Sequence, residues 1–261
     1  MRGNHACSRL LLASVAITVL AALTAGCTTT GSTPAADTTG SIGALHNEVD
    51  ARRDGEIYGE RYRADPKDVS AAIRYAQSLR VTGQYAQAVA VLERASLQNP
   101  KNPAVLGAYG RALADVGNFD QALEVLTRAH TPDQPDWRIL SAQGAVLDQM
   151  GRHDEARRYY DTALKIVPEE PSVLSNLGLS YALSKNLPKA EATLRQAVAR
   201  PGAAPRVRQN LALVVGLEGR FKEAEQIARA DLPPDEAAAN VAYLRTMLAQ
   251  PNNWKKLGRQ G

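Results

Sequence analysis

Side chains able to do chemistry are few in this sequence, and their spacing gathers no set of them. Beyond the first 26 residues the histidines are His46, His130 and His153, on separate stretches, and the cysteine is Cys27. No HExxH, GxSxG or phosphate-binding glycine loop is present, so metal-activated water, an acyl-enzyme serine and nucleotide phosphates all lack their usual holders. Asp115 and Asp148 could face one groove. Acid–base work by paired carboxylates, however, needs a fixed separation and an enclosed substrate, and solvated helix charges are the simpler reading. No enzyme activity, cofactor or metal is expected. Cys7 departs with any export signal and Cys27 then has no partner for a disulfide.

The elements that would position these residues follow a period. Windows of 34 residues starting at Val69, Pro103, Trp137 and Pro171 superimpose without a gap, and a fifth from Pro205 stays in register. The fifteenth place reads Gly83, Gly117, Gly151, Lys185, Gly219, and the twentieth reads Ala88, Ala122, Ala156, Ala190, Ala224. A helix–turn–helix period of this length is the signature of tetratricopeptide repeats. The expected fold is all-α, a right-handed superhelical solenoid, because neither helix of a pair can bury its apolar face alone.

Within the second window Leu106, Tyr109, Gly110 and Leu113 recur at spacings of three and four, placing them on one face of a first helix. Gly110, with Gly144 and Gly178 after it, removes bulk where the second helix crosses; Gly117 supplies the turn. Ala122, Leu126 and Ala129 form the inner stripe of the second helix. In the fourth window Lys185-Asn186 takes the turn, with Asn186 expected in the left-handed conformation and Pro188 heading the next helix. The third window is irregular: Gln143 replaces an aromatic or leucine, and His153 replaces the aromatic after the turn. With no second histidine or cysteine beside it in the register, His153 is read as a half-buried packing residue.

At the start, Arg2 and Arg9 precede the uncharged run Leu10 to Leu23. This matches an export signal, and its fourteen residues are short of the roughly 20 that span a membrane. Leu23-Thr24-Ala25-Gly26-Cys27 resembles the lipobox of bacterial lipoproteins, with Thr24 where leucine is commonest. The resemblance implies cleavage before Cys27 and lipidation of its thiol. The alternative is ordinary cleavage near Ala25, leaving Cys27 free. One fatty chain binds membranes only marginally; the two or three chains of that class anchor firmly. Thr28, where aspartate would signal inner-membrane retention, implies the outer membrane, with the body facing the periplasm.

The expected layout is a signal over residues 1–26, a lipidated terminus and flexible tether over 27–41, and an N-terminal capping helical region over 42–68. Five repeats over 69–236, a C-terminal capping helix over 237–250 and a basic tail over 251–261 complete it. Asp235 is expected to cap a helix from Glu236 to Ala249, with Val241, Leu244 and Leu248 sealing the end. Without Arg2 and Arg9 the chain holds 29 basic and 27 acidic side chains, a net +2. With no nucleic-acid-binding pattern either, nucleic acid is not an expected partner.

What such a fold offers is a concave surface lined by first helices. Its middle is expected to hold Arg111, Asp115, Arg138, Asp148 and Gln149, a polar floor of mixed charge. Toward the C-terminal end it becomes Leu179, Leu183, Gln209, Leu213 and Leu217. Such a set suits an apolar docking stretch, unless the C-terminal helix folds over it. Asn176 and Asn210 share the sixth place of their windows. They either grip the backbone of an extended peptide or serve as consensus filler.

The lipobox, the repeats and the closing stretch Asn240-Val241-Ala242-Tyr243-Leu244-Arg245, followed by Pro251 to Lys256, together resemble the TadD lipoproteins of the tight-adherence (Flp) pilus system, in particular their alphaproteobacterial members. The resemblance covers the whole chain, although only the lipobox and closing stretch discriminate among repeat proteins. It implies an outer-membrane lipoprotein that assembles or stabilises the pilus secretin, with secretin or other pilus assembly components as partners. Only the lipid-bearing cysteine carries over, onto Cys27. The competing reading is a periplasmic repeat scaffold for cell-wall enzymes or outer-membrane protein assembly.

Overall fold

The computed structural model describes residues 42–249. The export signal, Cys27, the tether and the basic tail lie outside the described residues. Twelve helices follow one another among the described residues. The long α1 (Ile42–Ala64) leads into five hairpins: α2 (Val69–Val81) with α3 (Tyr85–Gln98), α4 (Pro103–Asp115) with α5 (Phe119–Thr127), α6 (Trp137–Gln149) with α7 (His153–Ile166), α8 (Pro171–Leu183) with α9 (Leu187–Val198), and α10 (Pro205–Leu217) with α11 (Phe221–Ala228). The last element is α12 (Pro234–Ala249). Each first helix packs on its own second helix and on the first helix of the next repeat, and each second helix packs on the repeat that follows. The result is the right-handed solenoid expected from the period.

Local chemistry sets both ends of the first helices. Asn102 Oδ1 accepts from the Ala104 and Val105 amides, and Asp68 and Asp136 cap α2 and α6 in the same manner. Pro103, Pro171 and Pro205 stand in the first turn, where no amide is missed. At the far end the amide of Asn118 donates to the Leu113 carbonyl at 2.9 Å, as Arg152 does to Leu147 at 2.8 Å. This six-to-one bond needs a left-handed residue between helices, which Gly117 provides at φ 81°. In the fourth repeat Lys185, not Asn186, takes the left-handed conformation, at φ 62°. Asn186 instead caps α9 by accepting from the Lys189 amide. The closing helix also differs from expectation. It begins at Pro234, and Asp235 lies inside its first turn, because the Pro233 carbonyl already accepts from the Ala237 amide at 3.0 Å.

The core runs along the solenoid. A Cβ on Gly110 would lie 2.5 Å from Leu126 Cγ, and one on Gly144 would lie 2.5 Å from the Tyr160 ring, so helix crossing depends on the missing side chain. Ala122, Ala156, Ala190 and Ala224 are fully buried. Among the described residues no helix is long and apolar enough to cross a membrane.

Candidate functional site: the concave surface

The first helices line a cleft of about 810 Å³ across the middle of the array. Arg111, Asp115, Arg138, Gln149 and Asn176 all border it, so the expected floor is largely brought together. Arg80 and Arg206 border it as well. Sequence reasoning missed both, although Arg206 holds the same place in its window as Arg138. Arg80 grips Asp115 through two nitrogens, one at 3.2 Å. The Arg138 guanidinium lies over the Trp137 ring, 4.4 Å from its centre. Desolvation, reinforced by the neighbouring Arg80 charge, pulls the Arg111 guanidinium below its ordinary pKa.

Asp148 is not on this floor. Its side chain is only 8% exposed, and it accepts from His153 Nδ1 at 2.8 Å, Ser180 Oγ at 2.8 Å and the Tyr160 hydroxyl at 2.9 Å. It stands one place earlier in its window than Asp115, and that rotation turns it toward the fourth repeat instead of the groove. The grouping of aspartate, histidine and serine is not a catalytic relay. A nucleophile must hydrogen-bond to its base and reach substrate, whereas here Ser180 is fully buried and both side chains bind the carboxylate. Burial, followed by the Asp148 charge, raises the Tyr160 pKa and keeps the phenol a donor. Gln143, also buried, donates to Thr127 Oγ1 at 3.1 Å and accepts from His130 Nε2 at 3.1 Å. Among the described residues no cluster of three or more His, Cys, Asp or Glu could hold a metal.

The asparagines are joined to the solenoid. Asn176 Nδ2 donates to Ser141 Oγ at 3.1 Å and Asn210 Nδ2 to Ser175 Oγ at 2.9 Å, each bridging to the preceding first helix. Among the described residues no hydrogen bond is made to the Asn176 carbonyl oxygen, and Asn176 borders the cleft.

At the C-terminal end Leu183 is 57% and Leu213 42% exposed, while Leu179 and Leu217 are half-buried. The α12 helix packs along α10, with Leu244 seated against Gly216, where a Cβ would come within 2.5 Å. Between the two helices lies an apolar cleft of about 410 Å³, bordered by Gln209, Leu213, Leu217, Tyr243 and Met247. The closing helix therefore walls one side of the leucine end and leaves Leu213 open.

Two tetratricopeptide repeat family models match the chain, over residues 79–144 and 138–201. Residues 79–201 are built of tetratricopeptide repeats. A thermophilic repeat protein of Thermus thermophilus is similar at 25% identity over 68% of this chain and 98% of that one, with a TM-score of 0.59. PilW, a widely conserved type IV pilus biogenesis factor, is similar at 17% identity over 76% of this chain and 94% of its own, with a TM-score of 0.60. A chain of the Cut9–Hcn1 hetero-tetramer of the APC/C matches at 16% identity over 81% of this chain and 42% of that one, with a TM-score of 0.63. These likenesses carry the fold. No curated protein sequence matches. Repeats stacked in this way present an extended concave surface of the kind that serves protein–protein contacts.

Proposed function

We propose that this repeat protein is a lipid-anchored adaptor at the periplasmic face of the outer membrane, where it assembles or stabilises the secretin of the tight-adherence pilus. The observation that supports the adaptor role best is the leucine end of the concave face. Leu183 and Leu213 stand exposed there, and Leu213 borders an apolar cleft. The pilus assignment rests on the lipobox ending at Cys27 and on the closing stretch from Asn240 to Lys256. PilW shares the repeat fold, so this architecture serves pilus biogenesis in that protein.

Leu179→Glu combined with Leu213→Glu tests the docking surface. Burying one such leucine contributes about 1.5–3 kcal/mol, so the pair of changes is expected to abolish capture of the secretin and pilus display. The inner stripe of Ala190, Leu194 and Ala197 stays buried, and circular dichroism should be unchanged. A folded, membrane-located variant that still supports pilus display would overturn the proposal. Cys27→Ser is expected to give an uncleaved or soluble precursor, read by membrane fractionation with palmitate labelling; an unlabelled wild type would remove the anchor from the proposal.

A further inference from the structure

The central cleft calls for a ligand of different chemistry from the leucine end. Arg80, Arg111, Arg138 and Arg206 reach it from α2, α4, α6 and α10. Two carboxylates lie near them, and both are committed. Asp115 is bound to Arg80, and Asp136 caps α6 by accepting from the Arg138 amide at 2.7 Å. Among the described residues, Arg111 and Arg206 have no carboxylate within ion-pair distance, and Arg138 has only the Trp137 ring. Among the described residues several arginines elsewhere are paired, Arg157 of α7 with Asp154, Arg195 of α9 with Glu191 and Glu223, and Arg229 beyond α11 with Glu225, although others such as Arg74 and Arg94 are not. What sets the cleft apart is that four arginines converge on it. A partly desolvated guanidinium without a counter-charge is costly. Arg111 approaches that condition: burial and the Arg80 charge disfavour its own charge, and Asp136 and Asp115, beyond ion-pair distance, offset them only in part.

The shape narrows the anion. A concave trough cannot meet the flat surface of a bilayer, and a small inorganic anion would leave most of about 810 Å³ empty. The trough also offers aromatic faces at Tyr85, Phe119 and Trp137, small apolar floor residues such as Ala142, and the Asn176 carbonyl for a backbone amide. These groups fit a polypeptide. Packed helices lie about 8–10 Å apart and an extended chain advances about 3.3 Å per residue, so a carboxylate at every third residue would step from one first helix to the next. We propose that the cleft binds an extended acidic polypeptide segment whose carboxylates pair with Arg111, Arg138 and Arg206. The proposal is independent of which assembly the protein serves.

The test uses the full-length chain in detergent micelles and a fluorescein-labelled peptide of repeated Asp-Ala-Tyr triplets, read by fluorescence anisotropy. Its Asn-Ala-Tyr counterpart should bind far more weakly, and added salt should weaken the acidic peptide. Arg111→Gln and Arg138→Gln should each reduce affinity about tenfold, the scale of one charge-assisted hydrogen bond. Arg229→Gln, remote from the cleft, should leave binding unchanged. Melting curves guard against misfolding, and Arg206→Gln, on an exposed side chain, gives an independent variant with the same expected direction. Equal binding of the two peptides, no binding of the acidic one, or full binding by the Arg111→Gln, Arg138→Gln double variant would each overturn the proposal. So would displacement of the peptide by phosphatidylglycerol vesicles but not by phosphatidylcholine vesicles, which would point to lipid headgroups. Leu179→Glu with Leu213→Glu should retain peptide binding, which separates failure at this cleft from failure of the pilus assignment.

Discussion

In the second repeat Leu126 and the Ala122 carbonyl close over Gly110, and the core there is filled by buried apolar groups such as Tyr109, Leu113, Ala122 and Val125. In the third repeat α6 has the same length as α4 and the same turn follows. There Gln143 replaces the tyrosine, and the carboxylate of Asp148 holds three donors from α7 and α8. The two interiors keep one backbone geometry by different physics. An apolar interior spreads its energy over many weak contacts, so no single one of them is decisive. The polar interior concentrates it at a few groups, each of which is costly if left unpaired. Asp148 is thus the most vulnerable residue of the array.

Asp148→Ala should produce the largest effect. It strands the buried Tyr160 and Ser180 hydroxyls along with His153, and each buried group left unsatisfied costs about 1–3 kcal/mol. A loss of about 3 kcal/mol or more is expected in urea denaturation, again on the scale of two such groups. Asp115→Ala, one repeat earlier, removes a carboxylate that is 26% exposed and paired with Arg80; such pairs contribute about 0–1 kcal/mol. Equal losses for the two would erase the distinction between an interior node and a groove-lining pair.

Overpacking comes next. Ala122 and Ala156 hold the same place in the two repeats and both are fully buried. Ala122→Leu and Ala156→Leu should each cost about 1–3 kcal/mol, because the backbone crossing is the same whatever fills the interior. Gln121→Leu, on an exposed position, should change little. A third repeat that tolerates leucine far better than the second would mean that its polar interior is also a looser one.

The fold was legible because its determinants are local and repeated. Alanine at the crossing recurs in all five repeats, glycine at the turn in four and proline at the first-helix start in three, and each states one geometric requirement. Where the residue changed, the reading slipped. Asn186 is a common left-handed residue, so it drew the turn assignment away from Lys185, although Asn186 is equally suited to the cap it makes. Asp148 was assigned to the groove alongside Asp115, but it stands one place earlier in its window. One place along a first helix turns a side chain by about 100°, enough to carry it from the floor to the interface with the next repeat. The basic character of the central cleft was only half legible. Arg111 and Arg138 could be placed from the register, but the pairing of Arg80 with Asp115 joins separate repeats and has no signature in a single window. The cleft between α10 and α12 was equally hidden, since it depends on how the closing helix packs.

The smallest effect sharpens the contrast from the outside of the molecule. Arg195 and Arg220 link Glu191 and Glu223 across α9 and α11, with Arg220 Nη1 to Glu191 Oε2 at 2.8 Å and Arg195 Nε to Glu191 Oε1 at 2.8 Å. Hydrogen bonding from Arg220, and after it from Arg195, holds both carboxyls below the ordinary glutamate value of 4.5. A depressed folded-state pKa gives stability that is fully present above the unfolded value and lost as pH falls through the folded one. Glu191→Gln with Glu223→Gln should therefore lower the melting temperature slightly at neutral pH, and the deficit should vanish in acid as the wild-type carboxyls protonate. Added salt should shrink the same deficit, because Arg195, Arg220 and Glu223 are exposed and Glu191 only partly covered. Asp148→Ala should behave differently, keeping most of its deficit in high salt, since its donors are lost to burial and not to screening. A Glu191, Glu223 variant whose deficit persists undiminished through acid and salt would show that these side chains act by packing, and that the outer ladder and the inner node do not differ in the way their burial implies.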